Sequence, residues 1–149
     1  MRDEFMDLAV AKAAESLAEG GVPVGSVLVE GGRVVSAGYN KRVQENDPIA
    51  HGEMDCIRSA GRQRSYKGMT LYTTLSPCMM CSGTIVQFGI PRVVIGENET
   101  FGGNEDFLRA HGVAVEVRND SRCKPLMDEF IRRYPQVWSE DIGQESGKH

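Results

Sequence analysis

Two short stretches, His51-Gly52-Glu53 and Pro77-Cys78-Met79-Met80-Cys81, carry residue types whose spacing suits metal chemistry. Cys78 and Cys81 stand three apart, which on a helix places their sulfurs on neighbouring faces, about 60° apart. Two thiolates so placed can share one ion, and a helix start favours deprotonated sulfur through its unpaired N–H groups and positive dipole end. His51 offers a third ligand. Three protein ligands leave one of four tetrahedral positions open for water, as in catalytic rather than structural zinc sites, so one Zn²⁺ per chain is expected. Glu53 lies about 200° from His51 around an ideal helix and cannot ligate from the same face. If that helix points its N-terminus at the metal, both side chains converge from its first turn, and Glu53 becomes the proton shuttle between water and a leaving group. CxxC alone reads equally as a redox pair or half a zinc knuckle; the conjunction is what discriminates.

These residues need elements to hold them. Phe5, Leu8, Ala9, Ala13 and Leu17 recur at helical spacing until Gly20-Gly21, which predicts a helix over residues 5–17. Residues 24–29 read as a strand, Glu30-Gly31-Gly32 as a tight turn, and residues 33–37 as the hairpin partner. After an irregular stretch over 40–49, a helix is expected from about 51 to 59, stopped by Gly61. Residues 70–74 form a strand. Ser76-Pro77 is expected to open the next helix, serine as cap and proline at the first helical position, with Gly89 after its end at Phe88. A short buried strand over 93–95, a short helix over 104–110 and a strand over 113–117 follow. Residues 121–134 read as an amphipathic helix with Leu126, Met127, Phe130 and Ile131 inward and Pro125 in its first turn or so. A hairpin followed by alternating strands and helices predicts a three-layer α/β/α sandwich around a mixed five-stranded sheet.

A length of 149 residues is expected to give one domain over residues 1–143, and the small polar residues 144–149 are expected to fray. Hydrophobic residues at 40% and charged residues at 26% suit an ordinary soluble globular protein. Seventeen Lys and Arg against 21 Asp and Glu leave a net charge of −4. That lacks the broad basic footprint that phosphate backbones select, so nucleic acid is not the expected partner. No apolar run approaches the ~20 residues of a membrane span. Asp3 and Glu4 stand where a secretory signal would be basic, so a cytoplasmic location with reduced cysteines is expected. Cys56 and Cys123 lack a partner at ligand spacing and read as small core hydrophobes.

His-x-Glu on one helix, then a strand, then Pro-Cys-x-x-Cys at the head of a second helix is the zinc-deaminase signature. The chain resembles the cytidine deaminase superfamily, and within it the fungal-type cytosine deaminases, over nearly its whole length. The similarity runs through Glu19-Gly20-Gly21-Val22-Pro23-Val24-Gly25, Gly38-Tyr39-Asn40 and His51-Gly52-Glu53. It continues in Leu71-Tyr72-Thr73-Thr74-Leu75-Ser76-Pro77-Cys78, Gly96-Glu97-Asn98 and Phe101. It ends in Pro135-Gln136-Val137-Trp138-Ser139-Glu140-Asp141-Ile142-Gly143, whose Trp-x-x-Asp is the more discriminating feature.

The resemblance implies hydrolytic deamination of a free nucleobase, cytosine to uracil and ammonia, by a homodimer. It implies that Glu53 is catalytic and that His51, Cys78 and Cys81 hold the zinc. Asn40 and the Gly52 N–H would hold the ring carbonyl, Asp141 would read a polar edge, Phe101 and Trp138 would wall the pocket, and Ser76 would join the substrate contacts. A buried C-terminal segment of this kind would fill the space that a ribose or an RNA strand needs. A small base has few atoms, so each polar edge must meet a placed partner; Asn supplies donor and acceptor, Asp an acceptor only. Two positions depart from the fungal pattern. Met79 stands where those enzymes carry an acid, and Asn46-Asp47-Pro48-Ile49-Ala50 looks more like the tRNA adenosine and guanine deaminases. Isocytosine, guanine or another amino-heterocycle, and a tRNA adenosine, therefore stand as alternative substrates. A non-catalytic zinc-stabilised binding module is the alternative from a different class.

Overall fold

Five strands form one sheet: β1 (Gly25–Glu30), β2 (Arg33–Tyr39), β3 (Met69–Leu75), β4 (Arg92–Glu97) and β5 (Ala114–Val117). The computed structural model describes residues 3–143; the expected fraying of 144–149 lies outside the described residues. The strand order is β2-β1-β3-β4-β5. Gly31 and Gly32, at φ 57° and 77°, make the tight turn that folds β2 back antiparallel on β1. β1 also runs antiparallel to β3, whereas β3, β4 and β5 are mutually parallel. Parallel neighbours need crossovers. Helices α3 (Met79–Phe88) and α4 (Glu105–Ala110) supply them, with α1 (Glu4–Ala18) and α2 (Gly52–Ala60) earlier in the chain, and α5 (Cys123–Arg133) and α6 (Pro135–Asp141) closing it.

Alternation along the strands builds the three layers. Val27, Val29, Tyr72 and Val94 pack with Met6 and Ala9 of α1 on one face. Leu28, Leu71, Val93 and Ile95 turn to the other, against Cys56 and Ile57 of α2, Ile85 of α3 and Leu108 of α4. The α/β/α sandwich expected from the alternation of elements is the observed fold. Cys56 and Cys123 are fully buried, and burial pushes both thiols up to about 12, which suits small apolar fillers.

The structure corrects several boundaries. The third helix opens at Met79 with Cys78 as its N-cap, so Ser76 is not the cap and Pro77 is not the first helical residue. The Cys78 sulfur accepts from the Cys81 N–H at 3.5 Å, doing the capping work in place of a hydroxyl. The strand expected over 93–95 spans Arg92–Glu97. Leu126, expected inward, is half-exposed and belongs to none of the buried clusters, whereas Met127 and Phe130 are buried. The C-terminal segment is a helix of its own, α6, with Trp138 buried.

A third apolar cluster sits where β3 and β4 end, formed by Val22, Val24, Leu75, Met127, Phe130 and Trp138. It carries the site onto the C-terminal ends of the parallel strands, where open α/β sheets bind ligands. Packing of α1 on β1 in the same region demands glycine at 25: a Cβ there would lie 2.0 Å from the Ala9 carbonyl oxygen and 2.5 Å from the Ala13 nitrogen. Backbone cannot yield as a side-chain tip can. Gly25→Ala is expected to lower stability by about 1–3 kcal/mol or more, read as an earlier urea midpoint; an unchanged midpoint contradicts this packing.

Candidate functional site

His51 is the N-cap of α2 and Cys78 the N-cap of α3, both with extended backbone (ψ 160° and 176°). A cap residue lies outside the helical spiral, so the 60° argument for Cys78 and Cys81 gives way to a simpler one. Cys78 caps its own helix through sulfur whereas His51 makes no capping bond, and the two side chains meet between the helix starts. The Cys78 sulfur lies 3.5 Å and the Cys81 sulfur 3.8 Å from His51 Nδ1. A tetrahedral zinc with ordinary bond lengths sets S···N edges of about 3.6 Å. These three residues are the one group of metal-ligating type within reach of a common ion among the described residues, with ligand atoms all within 4.8 Å. They fit zinc, and their N–H-rich surroundings fit thiolate.

The protonation pattern follows from the same geometry. Burial would pull the His51 imidazole down, but the Cys78 sulfur on Nδ1 and the charges of Asp141 and Glu53 outweigh it and lift it to about 9. Cys78 is held down to about 4, first by its hydrogen bond with Cys81 and then by His51, against burial. Cys81, 1% exposed, is pushed well above the ordinary thiol range by Cys78 beside it and by burial. Glu53 is 3% exposed, and burial, reinforced by the Cys78 charge, pushes its carboxyl up to about 7. A carboxyl at that value is poised both to take and to give a proton near neutral pH.

Beside the ligands is a small, partly open cavity. Asn40, His51, Glu53, Ser76, Cys78, Phe101, Trp138 and Asp141 line it, so the sequence-predicted set converges from five separate segments. Gly52 and Cys81 are buried and are not among its lining residues. Gly52 must be glycine, because a Cβ would fall 2.8 Å from the Val24 carbonyl oxygen. Asn40 is buried, and its Oδ1 accepts the Arg42 N–H at 3.0 Å, so its Nδ2 is the group left for the cavity. Ser76 is turned away: its hydroxyl donates to Glu105, whose other oxygen accepts from Asn98 at 3.3 Å. Phe101 and Trp138 meet edge to face, centroids 6.3 Å apart, forming one wall. The Asp141 side chain is 7% exposed, with Oδ1 3.4 Å from His51 Nε2 and 3.0 Å from Arg42 Nε.

The cytidine and deoxycytidylate deaminase zinc-binding region matches residues 1–97, a span holding His51, Glu53, Cys78 and Cys81. The chain belongs to this zinc-binding deaminase family. It is similar to a cytosine deaminase of Candida albicans, 46% identical over 142 residues, which covers 93% of this chain and 95% of that protein. A tRNA-specific adenosine deaminase of Streptococcus pyogenes is 38% identical over 143 residues, 87% of this chain and 89% of that protein. A solved structure from work on A-to-I editing by tRNA:A34 deaminases superposes with a TM-score of 0.69 at 32% identity, covering 77% of this chain and 97% of that one.

In this deaminase, Met79 is 54% exposed and lines an outer groove with Pro48, Met80 and Gly103, so it puts no charge beside the ligands. The apolar lining residues Val24, Leu75 and Ile142 and the polar residues Arg42 and Glu105 escaped sequence reasoning. Only adjacency to the motifs hinted at Leu75 and Ile142. Nothing in spacing pointed to Arg42 or Glu105, which act through neighbours distant in sequence. The ligand charges generate a direct expectation. Near neutral pH, His51 and Cys81 must each give up a proton to bind zinc, while Cys78 is already thiolate. Zinc loading should release about two protons per chain, and apparent affinity should rise roughly a hundredfold per pH unit between about pH 5 and 8. Calorimetry in buffers of different ionisation enthalpy measures this; a release near zero would refute the assignment.

Proposed function

We propose that this deaminase replaces the exocyclic amino group of a free nucleobase by oxygen, converting cytosine and water into uracil and ammonia. The observation that carries the reading is the small cavity bounded by Trp138, Asp141 and Ile142 of the C-terminal region, directly beside the ligand triad and Glu53. Similarity to the Candida albicans cytosine deaminase over almost the full length of both proteins supports it. When bound by His51, Cys78 and Cys81, Zn²⁺ supplies Lewis acidity that draws the pKa of a water toward roughly 7.

The remaining steps belong to protein groups. Asn40 Nδ2 and the Gly52 N–H are two donors for the ring carbonyl oxygen, and they orient C4 toward the ligand triad. Asp141, an acceptor, meets an N–H edge. Glu53 takes a proton from the attacking water, passes it to ring N3, and then carries the second proton to the departing amine. The C4–O bond forms as the C4=N3 π pair moves onto N3, and the C4–N4 bond then breaks as C4=O forms and the amine leaves with the second proton as ammonia. Phe101 and Trp138 flank the ring and exclude bulk water. Ser76, its hydroxyl committed to Glu105 and its N–H to the Glu97 carbonyl, has only its backbone carbonyl left for the base.

Residues 1–143 are read as one catalytic domain. The four unpaired cysteines support a reducing cytoplasmic setting. No helix among the described residues is long and apolar enough to cross a membrane. A net charge of −4 weighs against tRNA as substrate. Ammonia release from a panel of cytosine, isocytosine, guanine, adenine and their nucleosides tests the assignment. Cytosine should exceed every nucleoside by at least about 100-fold, because Trp138 and Asp141 of α6 occupy one side of the cavity and unpaired polar edges are penalised heavily. Glu53→Gln should keep zinc and lose turnover. Preference for a nucleoside or a purine would sink the cytosine reading.

The same proposal includes a homodimer. Ile49 at 48% and Met79 at 54% exposure are large apolar side chains next to the mouth of the site, a surface suited to a second copy. Light scattering should give twice the chain mass, and Met79→Glu should shift it toward the monomer; a monomeric wild type refutes the pairing.

A further inference from the structure

We propose that Arg42 is a positioning residue: it latches the last turn of α6 to the loop ahead of α2 and thereby sets the distance between Asn40 and Asp141. The proposal rests on the reading of those two side chains as substrate contacts. Arg42 is unlike the other surface cations of the chain, because its side chain is only 12% exposed. Its Nε donates to the Pro48 carbonyl at 3.3 Å, and the Asp141 Oδ1 lies 3.0 Å from the same nitrogen. Its Nη1 donates to Glu140 Oε1 at 3.2 Å. Its backbone N–H holds Asn40 Oδ1 at 3.0 Å. One residue thus touches both groups that would meet opposite polar edges of a base, though they lie a hundred positions apart in the chain.

The partners are not equal. Glu140 is 69% exposed, so that contact is solvated and contributes little. Asp141 is 7% exposed, and its Oδ1 is sealed from solvent between Arg42 Nε and His51 Nε2. Oδ1 makes no hydrogen bond, since the one Nε hydrogen of Arg42 goes to the Pro48 carbonyl, so the guanidinium holds this carboxylate by charge at ion-pair distance. Trp138 anchors the body of α6 in the apolar cluster, but nothing apolar fixes the Asp141 carboxylate. The guanidinium does, and its planar fork reaches Asp141, Pro48 and Glu140 together; a lysine ammonium is a single point charge and cannot.

The test uses the full-length zinc-loaded chain with cytosine as substrate. Arg42→Gln should raise KM at least about tenfold while kcat stays within about threefold, since misplaced contacts cost orientation rather than proton transfer. Arg42→Lys should fall between wild type and Arg42→Gln, and it carries the test should Arg42→Gln not fold. Trp138, the one tryptophan of the chain, sits on α6, so its emission should move to longer wavelength in Arg42→Gln. Glu140→Gln should leave KM and emission as in wild type. Adding Arg42→Gln to Asp141→Asn should raise KM little beyond Asp141→Asn alone. Wild-type KM in Arg42→Gln overturns the proposal, with or without an emission change. If the wild type deaminates no base in the panel, the reading of the site fails instead, and Trp138 emission alone then decides the latch: unchanged emission in Arg42→Gln overturns it.

Discussion

Everything at this site depends on two helix starts being brought face to face. His51 and Cys78 are both cap residues with extended backbone, and each hands its helix a first turn of unpaired N–H groups. That arrangement lets ligands from positions 51, 78 and 81 meet within one tetrahedral span without distorting either helix. It also explains the sulfur chemistry, since Cys78 accepts the Cys81 N–H while its thiolate is stabilised by the helix end. The sheet supplies the convergence: β3 delivers the chain from the end of α2 back past the head of α3, and the parallel pairing with β4 keeps that head at the strand ends.

Charge decides what the constellation can accept. Glu53, Cys78, Cys81 and Asp141 are four acidic groups packed around one cavity, and His51 and Arg42 are the protein cations facing them. Burial of so many potential anions is costly unless a positive charge compensates them. The upward displacement of Glu53 and Cys81, driven by burial and by the charge of Cys78, expresses that cost. A divalent ion relieves it for the thiolates. Glu53, which does not ligate, keeps the intermediate proton affinity that a shuttle needs. Arg42 supplies positive charge to Asp141, whose Oδ1 also lies 3.4 Å from His51 Nε2.

Legibility in the sequence followed the range of the interaction. The ligand triad and Glu53 were readable because metal geometry constrains both residue type and spacing, and the α/β/α layering because period 2 and period 3.6 differ sharply in the strands and in helices such as α1. Ser76-Pro77 misled because serine before proline is a strong local cap signal, while the actual cap, Cys78, is held by a sulfur contact that propensity does not register. Leu126 misled because helical periodicity marks a stripe without saying how wide its cover is. Asn40 was read from resemblance, but the reason its amide faces the cavity, the Arg42 N–H on Oδ1, exists only in three dimensions. Glu105 is the extreme case: it bridges Ser76 and Asn98 from another element, and no pattern within its own helix announces that.

Helix α6 takes the argument one step further. Its seven residues are under two turns, too short for periodicity to reveal and too short to be stable in isolation. It forms because Trp138 enters the cluster of Val22, Val24, Leu75 and Phe130 and closes edge-on against Phe101. The wall that limits substrate size is therefore continuous with the hydrophobic core, not a loop laid over it. A wall of that kind selects by shape without spending a polar contact on each rejected substrate. On the proposed reading, the few polar groups that remain, Asn40, Gly52 and Asp141, would read the edges of a ring small enough to enter. On that reading size exclusion would come from the core and edge recognition from the buried polar groups, and Arg42 lies where the two meet.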